Sequence, residues 1–360
     1  MVYTCLAATL MVALMTALPY SRSEAWWVRM FDFPRLQIAT VAIVMLLVEM
    51  TVLDLADIAS WFLLAVGMLC LMAQLWWIVP YTALSSIEVR ATAGEVDSDN
   101  SLRVMSSNVL GPNRCSDKLL DLVREHAPDV LVTLESNAWW EKQLEVLETD
   151  YPYTVKCPLE NLFGMHVYSR LALSNSSVEY LVEDHIPSIH TCVKLPSGVL
   201  VTAHFLHPTP PNPEFNDESS ERDAELVIVA RKVADNDKPT IVCGDLNDVA
   251  WSSTTRLFRK LSGLLDPRIG RGMFNTYNAK WWFMRWPLDH LFHSRHFLLR
   301  ELQRLPEIGS DHFPLLTTLV FDPSAIPASD APGADADDEA RARDKSDDEG
   351  VGANDVPDPG

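Results

Sequence analysis

The chain has 360 residues, 48% of them hydrophobic, and a formal net charge of −20 at pH 7. At roughly 150 residues per domain, that length leaves room for two units. No block is rich in lysine or arginine, so tight, non-specific nucleic-acid binding is disfavoured.

Three apolar runs fill the first eighty residues: Val2–Leu18, Leu36–Leu53 (interrupted by Glu49) and Ile58–Val79. About 20 apolar residues cross a bilayer as a helix. Trp26, Trp27, Trp76, Trp77 and Tyr81 fall at the run ends, where aromatic rings sit at headgroup level. No basic segment precedes the first run, so it reads as a span rather than a cleaved signal. Residues 1–80 are therefore expected to hold about three transmembrane helices. Glu49 and Asp54 are expected near a helix end, facing headgroups or water. Arg22, Arg29 and Arg35 precede the second run, and the next loop has Asp54, Asp57 and no basic residue. On the positive-inside rule this puts the rest of the chain in the cytoplasm.

Residues 81–100 read as a polar linker. From Ser101, short β-like runs alternate with helical stretches. "LRVMSSNVL", "DVLVTLES", "HVYSRLAL", "VLVTAHFLH", "PTIVCGDLN", "PLDHLFHS" and "FPLLTTLVF" read as strands. "DKLLDLVREHAP" and "ERDAELVIVARKVAD" read as helices. Many strands with interspersed helices predict an α/β sandwich over residues 101–321. Residues 322–360 carry 12 acidic and 3 basic residues with almost no large apolar side chain, and are expected to be a disordered acidic tail. The six cysteines include no CxxC, which argues against zinc and against a dense disulfide framework. One or two bridges stay open for a domain outside the cytoplasm.

Several of these strands end in polar residues: Asn108, Glu135, His204 and His207, Asp245 and Asn247, Asp289, Asp311 and His312. Each alone is ordinary. Glu135 suits a helix cap, Gly244-Asp245 a tight turn, and either histidine a satisfied core residue. Together they differ from chance decoration. Carboxylate and amide oxygens are the hard ligands that magnesium prefers. Histidine contacts or protonates a phosphate, and a second carboxylate orients it. Polar ends of adjacent strands converge at one sheet edge, so the set describes metal-assisted attack of water on a phosphate ester.

The motif order resembles the endonuclease/exonuclease/phosphatase superfamily. It runs "SSNVLG", "LVTLES", "FGMHVYSR", "HPTPP", "ERDAEL", "VCGDLND", "PLDHLF", "GSDHFPL" from Ser101 to Phe321. With its apolar start, the chain is similar to the membrane-tethered bacterial branch. The resemblance implies a four-layer α/β sandwich of two mostly antiparallel sheets flanked by helices, preceded by transmembrane helices. It implies Mg2+, or Mn2+ in its place, held by Asn108 and Glu135 with Asp311. Asp245 would orient or deprotonate the water, and Asn247 would hold water and phosphate. His312 would contact the phosphate, with Asp289 on its other nitrogen. His207 would contact the phosphate too, with His204 as a second candidate beside it. Arg222 matches a recurrent arginine, though a surface ion pair explains it equally well. Ser169-Arg170 is expected to support the sheet. Leu134 and Leu246 stand where relatives often have Gln and Phe, and no ligand is lost.

Three readings follow. A membrane-anchored, magnesium-dependent phosphoesterase acting on a phosphate ester or diester, a lipid-linked one among the candidates, suits the tether and the acidic domain. A nuclease would use Arg256, Arg259, Lys260, Arg268, Arg271, Lys280 and Arg285 between the Asp245 and Asp289 motifs. "KWWFMRW" (280–286) suits both, stacking on bases or dipping into headgroups. A non-catalytic tethered scaffold would need a lost ligand. No obligate protein partner is evident. The resemblance favours an extracytoplasmic catalytic domain on the cell membrane, against the arginine count, and it is the resemblance that we follow.

Overall fold

The computed structural model describes residues 2–92, 98–322 and 333–360. It opens with α1 (Val2–Ala17), a one-turn α2 (Trp26–Arg29), α3 (Arg35–Val52) and α4 (Ile58–Ile78). Three segments of this region, Val2–Tyr20, Arg35–Val52 and Ile58–Tyr81, are long and apolar enough to cross a membrane. Val12, Ile38, Ala42, Met45 and Cys70 bury one another where the helices meet. Leu47, Met50, Phe62 and Leu69 remain exposed on the outside, an arrangement suited to lipid rather than water. Glu49 does not face headgroups as expected: it is buried in the bundle and accepts a 2.6 Å hydrogen bond from Thr9 Oγ1. Asp54 does meet that expectation. It is exposed in the α3–α4 turn and accepts from the Ala56 N–H at 3.0 Å.

The strands are β1 (Ser101–Asn108), β2 (Val130–Leu134), β3 (Tyr153–Cys157), β4 (Met165–Ser169), β5 (Leu173–Glu179), β6 (Ser188–Lys194), β7 (Leu200–Leu206), β8 (Thr240–Asp245), β9 (Asp289–His293), β10 (Phe297–Arg304) and β11 (Leu315–Phe321). The helices among and after them are α5 (Ser116–His126), α6 (Ala138–Leu144), α7 (Ser220–Ala234), α8 (Ser253–Ser262) and α9 (Ala336–Asp348). One sheet has the order β10-β11-β1-β2-β4-β3 and the other β5-β6-β7-β8-β9. Their pairings are antiparallel except β1–β2 and β7–β8.

Alternation along each strand builds the four layers. Val104, Val132 and Val167 face Ala203, Phe205 and Ile241 between the sheets. Met105, Leu131 and Tyr168 turn the other way, under Leu119 and Val123 on α5 and Trp140 on α6. On the far side, Leu206, Val242 and Phe292 meet α7 and α8. Helix α7 is buried nearly all round because it lies between that sheet, α8 and α9. The cysteines are all free thiols.

The stretch read as a polar linker is packed over its described part. Tyr81 is buried and donates to the Ala250 carbonyl at 2.5 Å. Glu88 is paired with buried Arg259, and Val89 joins the inter-sheet core. Residues 93–97 lie outside the described residues. The expected structureless tail also needs correction. Residues 323–332 lie outside the described set, but Ala336–Asp348 is helical, started by a capping box between Asp335 and Asp338. Lys345 bonds Asp223 Oδ2 at 2.7 Å and also pairs with Glu24, while Ala342 and Val356 are buried against the second sheet's helices. Ion pairs and small side chains hold this segment, so its poverty in large apolar residues misleads.

Candidate active site

The two parallel pairs send the C-terminal ends of β1, β2, β7 and β8 to one edge of the sandwich. β9 starts at that edge, with Asp289 opposite Asp245 in register. The 309–314 turn leads into β11 beside β1. Asn108, Glu135, His207, Asp245, Asp289 and His312 therefore converge, although they are far apart in the chain.

Two of the turns there are backbone-strained. Glu135 and Asn247 have φ of 58° and 50°, a left-handed conformation costing about 1–3 kcal/mol for such residues. Gly244 shows why β8 carries glycine before its terminal acid. At φ +153° a Cβ would lie 1.9 Å from the Leu206 carbonyl oxygen of the adjacent β7.

Asp245 is the centre. Its Oδ2 accepts from Asn108 Nδ2 at 3.1 Å, and its Oδ1 from the Asn247 N–H at 3.0 Å. Burial opposes its charge, but His312, His207 and these donors hold its pKa below the usual carboxylate value. His207 Nε2 lies 3.9 Å and His312 Nε2 3.5 Å from Asp245 Oδ2. His312 Nδ1 lies 2.8 Å from Asp289 Oδ2. Burial alone would lower the His312 pKa, but Asp289 and Asp245 outweigh it and raise it to about 10. That ring is a cation at neutral pH. His207 has no such partner on Nδ1, and burial drops it to about 4, so it is neutral.

Asn108, at the end of β1, links the two sheets through Asp245 on β8, and the same Nδ2 donates to Glu135 Oε1 beyond β2 at 2.9 Å. Burial pushes Glu135 up to about 7. Its Oε2 is buried and without a hydrogen-bond partner. Asp311 lies close enough for its charge to act on both Glu135 and His312, and its backbone carbonyl accepts from the Ala279 N–H at 2.7 Å.

Two donor sets could hold a cation. Asp245, Asp289 and His312 have ligand atoms within 4.8 Å of one another. Asp289 and Asp245 favour the protonated form of His312, whereas a ligating histidine must be neutral. Asn108, Glu135 and Asp311 offer only oxygens, including the orphaned buried Glu135 Oε2, and so fit a hard divalent ion better.

His204 does not belong to the site. It lies mid-strand on β7, faces away from the inter-sheet core, and its Nδ1 sits 2.7 Å from His190 Nδ1. Arg222 is not a surface residue either. It is buried, bonds the Asn247 carbonyl at 2.9 Å and Asp223 Oδ1 at 2.8 Å, and lies 3.6 Å from Asp248. It therefore braces the "GDLND" turn. Ser169 Oγ donates to the Leu171 carbonyl at 2.7 Å at the end of β4, away from the edge where the polar strand ends converge.

The sequence reading missed Tyr277, Thr276 and Asp248. The Tyr277 ring centroid lies 4.9 Å from that of His312. Thr276 Oγ1 accepts from the Asp289 N–H at 3.2 Å. Asp248 takes hydrogen bonds from Ser252 Oγ at 2.5 Å and Thr255 Oγ1 at 3.4 Å. Only Asp248 had a signal, as the last letter of "GDLND".

The sequence model of the endonuclease/exonuclease/phosphatase family matches residues 105–312. No curated protein matches the chain. Solved structures with a similar fold include D. rerio TDP2 with a single-strand DNA product, at 16% identity over 61% of this chain and 98% of that one, TM-score 0.50. The human Nocturnin catalytic domain with bound sulfate matches at 17% identity over 63% and 97%, TM-score 0.50. A Beutenbergia cavernae endonuclease/exonuclease/phosphatase matches at 18% over 62% and 72%, TM-score 0.49. These likenesses concern the fold, whereas the family match spans more than half of the sequence and includes the whole strand-end constellation. The chain belongs to the endonuclease/exonuclease/phosphatase family, hydrolases that act on phosphate ester bonds.

Proposed function

We propose that this protein is a membrane-anchored, magnesium-dependent phosphoesterase whose substrate is a phosphate ester borne by a membrane lipid. The observation that carries the hydrolytic reading is Asp245, an ionised, buried carboxylate held by Asn108 and the Asn247 N–H between neutral His207 and cationic His312. Asp245 orients a water and takes its proton. Asn247, its side chain fixed on the Pro208 carbonyl at 2.9 Å, positions water and phosphate. His312 sets its positive charge against the phosphoryl oxygens, and Asp289 keeps its ring turned to do so. His207 donates a hydrogen bond without adding charge. Asn108, Glu135 and Asp311 would hold magnesium, with manganese as a substitute. A bound cation would offset the charge that develops on the phosphoryl group.

The anchoring reading rests on the three apolar helices, which read as a membrane region over residues 1–80 joined to a catalytic domain over 101–321. The catalytic edge lies beside them: Trp251, a few residues after Asp245, donates to the Asp32 carbonyl at 2.7 Å. Two observations support a lipid substrate. Trp281, Trp282, Phe283 and Met284 are consecutive and exposed, and the Phe283 carbonyl is held by Gln37 in the first turn of α3. The same loop begins at Tyr277, against His312. Such a loop is built to enter the headgroup layer next to the catalytic edge. Secondly, most arginines and lysines that a nuclease would need are engaged internally: Arg259 with Glu88, Lys260 with Asp338, Arg268 with Asp266, and Arg285 and Arg271 with backbone carbonyls. The catalytic domain is read as extracytoplasmic. The arginine count against this is small, and Arg29 and Arg35 are buried around Asp32 rather than set among headgroups. A protease-cleavable tag after Gly360 on intact cells reports the side directly.

Nuclease action is the second reading. Exposed Trp281 and Trp282 would stack on bases, and the fold neighbour D. rerio TDP2 was solved with a DNA product. The deciding experiment offers the full chain, in magnesium, lipid phosphates in vesicles beside single- and double-stranded DNA. Turnover of lipid phosphate alone, reduced at least about tenfold by a W281S/W282S double substitution, supports the proposal. Cleavage of DNA with no lipid turnover replaces it with the nuclease.

A further inference from the structure

Helix α8 presents three basic residues toward the end of α4: Arg256, Arg259 and Lys260. Two have acidic partners: Arg259 pairs with Glu88, and Lys260 bonds Asp338 at 2.7 Å, a contact that uses one of the three N–H donors of its ammonium. The Arg256 side chain makes no ion pair or hydrogen bond among the described residues. Its guanidinium lies over the Trp77 ring, 4.3 Å from the centroid. Burial pulls its pKa below the usual arginine value; Tyr81 and Asp338 oppose this, and the like charges of Arg259 and Arg35 add to it. Arg259 adds a buried Nε with no partner. Asp338 and Glu88 lie near, but neither touches Arg256, and a half-buried cation with no carboxylate in direct contact is unusual in a chain of net charge −20.

These groups line a hollow of about 620 Å³. Its other wall is apolar. Met72, Leu75 and Trp76 stand at helical spacing on one face of α4, with Val79 and Pro80 just past its end and Ile269 also lining the hollow. Met72, Leu75 and Trp76 are exposed on the flank of the last apolar span. Trp76 and Trp77 are placed where aromatic rings mark headgroup depth. The hollow is thus cationic at its upper end and hydrocarbon-like below, on a surface that the anchoring reading turns toward lipid. Arginine matches a phosphate with two parallel N–H donors. A free phosphate would leave the apolar wall uncovered, and a neutral lipid would leave Arg256 unpaired.

We propose that this hollow binds one anionic phospholipid of the surrounding leaflet, its phosphate on Arg256 and Lys260 and an acyl chain along Met72, Leu75 and Trp76. The site is separate from the catalytic edge and serves as a fixed lipid seat between α4 and α8. It rests on the membrane-anchored reading, though not on the identity of the substrate.

The test uses the full chain in neutral detergent and reads its thermal unfolding midpoint. The additions are phosphatidylglycerol, phosphatidylcholine or inorganic phosphate, on wild type, Arg256→Gln, Arg256→Lys, Lys260→Gln and a distant control, Arg295→Gln. Phosphatidylglycerol should raise the midpoint by a few degrees, about what a ligand at many times its dissociation constant gives. Phosphatidylcholine and inorganic phosphate should not. Arg256→Gln should lose most of the shift, Arg256→Lys and Lys260→Gln part of it, and Arg295→Gln none. No shift in wild type, an equal shift with phosphatidylcholine or free phosphate, or a full shift in both Arg256→Gln and Lys260→Gln would overturn the proposal. If Arg256→Gln does not fold, the Arg256→Lys and Lys260→Gln shifts decide the matter. Lipid hydrolysis measured on the same samples separates the two ideas. A preserved shift without hydrolysis overturns only the phosphoesterase, and hydrolysis without the shift overturns only the seat.

Discussion

Replacing Arg222 with methionine keeps an unbranched apolar stem and removes the guanidinium on which two acids and a carbonyl depend. Arg222 is buried, bonds Asp223 through Nε at 3.1 Å and NH2 at 2.8 Å, holds the Asn247 carbonyl, and lies 3.6 Å from Asp248. Breaking a buried pair by removing one partner costs about 3–5 kcal/mol. Asp223 is partly protected, because Lys345, Ser219 and Thr254 also bond it. Asp248 is not. Burial already lifts its pKa to about 6 with Arg222 in place, so without it the acid takes up a proton and escapes part of the penalty. The expected loss is therefore near the lower end, about 3 kcal/mol, or roughly 6–12 °C of unfolding midpoint for a domain of this size. The full chain in detergent, followed by intrinsic fluorescence, gives the midpoint. Adding Asp248→Asn should make the double variant more stable than the sum of the single losses by about 1 kcal/mol or more. A midpoint within about 2 °C of wild type, or strictly additive losses, would refute the idea that Arg222 braces the "GDLND" turn through Asp248.

Other outcomes follow from the same contacts. Asn108→Ala strips a donor from both Asp245 and Glu135 and should lower kcat at least about a hundredfold, with the unfolding midpoint shifted far less than in R222M; a kcat within about threefold of wild type would count against it. Asp223 has its pKa held down: burial opposes the charge, but Lys345 and Arg222 outweigh it. A depressed acid stabilises the fold above its unfolded value of about 3.9 and loses that contribution as pH falls through the folded value, so D223N should flatten the acid side of a midpoint-versus-pH curve. Ending the chain after Asp322 removes Ala342, Val356 and the Lys345 pairs, and should lower the midpoint by several degrees rather than leave it unchanged, as loss of a free tail would.

The strand ends were legible because they combine two patterns: an apolar run that must be buried, and a polar residue at its finish that burial alone does not explain. The strands readable in this way include every one that delivers a site residue. β3 and β10 escaped notice because they are edge strands with polar, half-exposed faces, and β6, "SIHTCVK", buries histidine and threonine where a periodicity reading looks for aliphatics. His204 illustrates the opposite failure. Spacing puts it close to His207 in the chain, but a strand turns alternate side chains to opposite faces, so one histidine ends at the site and the other beneath the helices. Tyr277 was not legible, because it reaches His312 through an isolated backbone bridge between the two residues, far apart in the chain and inside an irregular stretch. The tail was misread because composition counts apolar bulk, whereas α9 is held by Lys345, Lys260 and Arg231 meeting partners elsewhere in the chain.

The measurement closest to the centre of this account is phosphate release by the full chain and by its Asp245→Asn variant, each with magnesium and again after EDTA, on vesicles containing lipid phosphates. Asp245→Asn keeps the shape of the side chain while removing the carboxylate that sits between His207 and His312. The account predicts turnover by the wild type that EDTA abolishes and magnesium restores, and a loss of at least about a thousandfold in the variant with an unchanged unfolding midpoint to within a few degrees. Equal turnover by the two proteins, or turnover indifferent to EDTA, would contradict it.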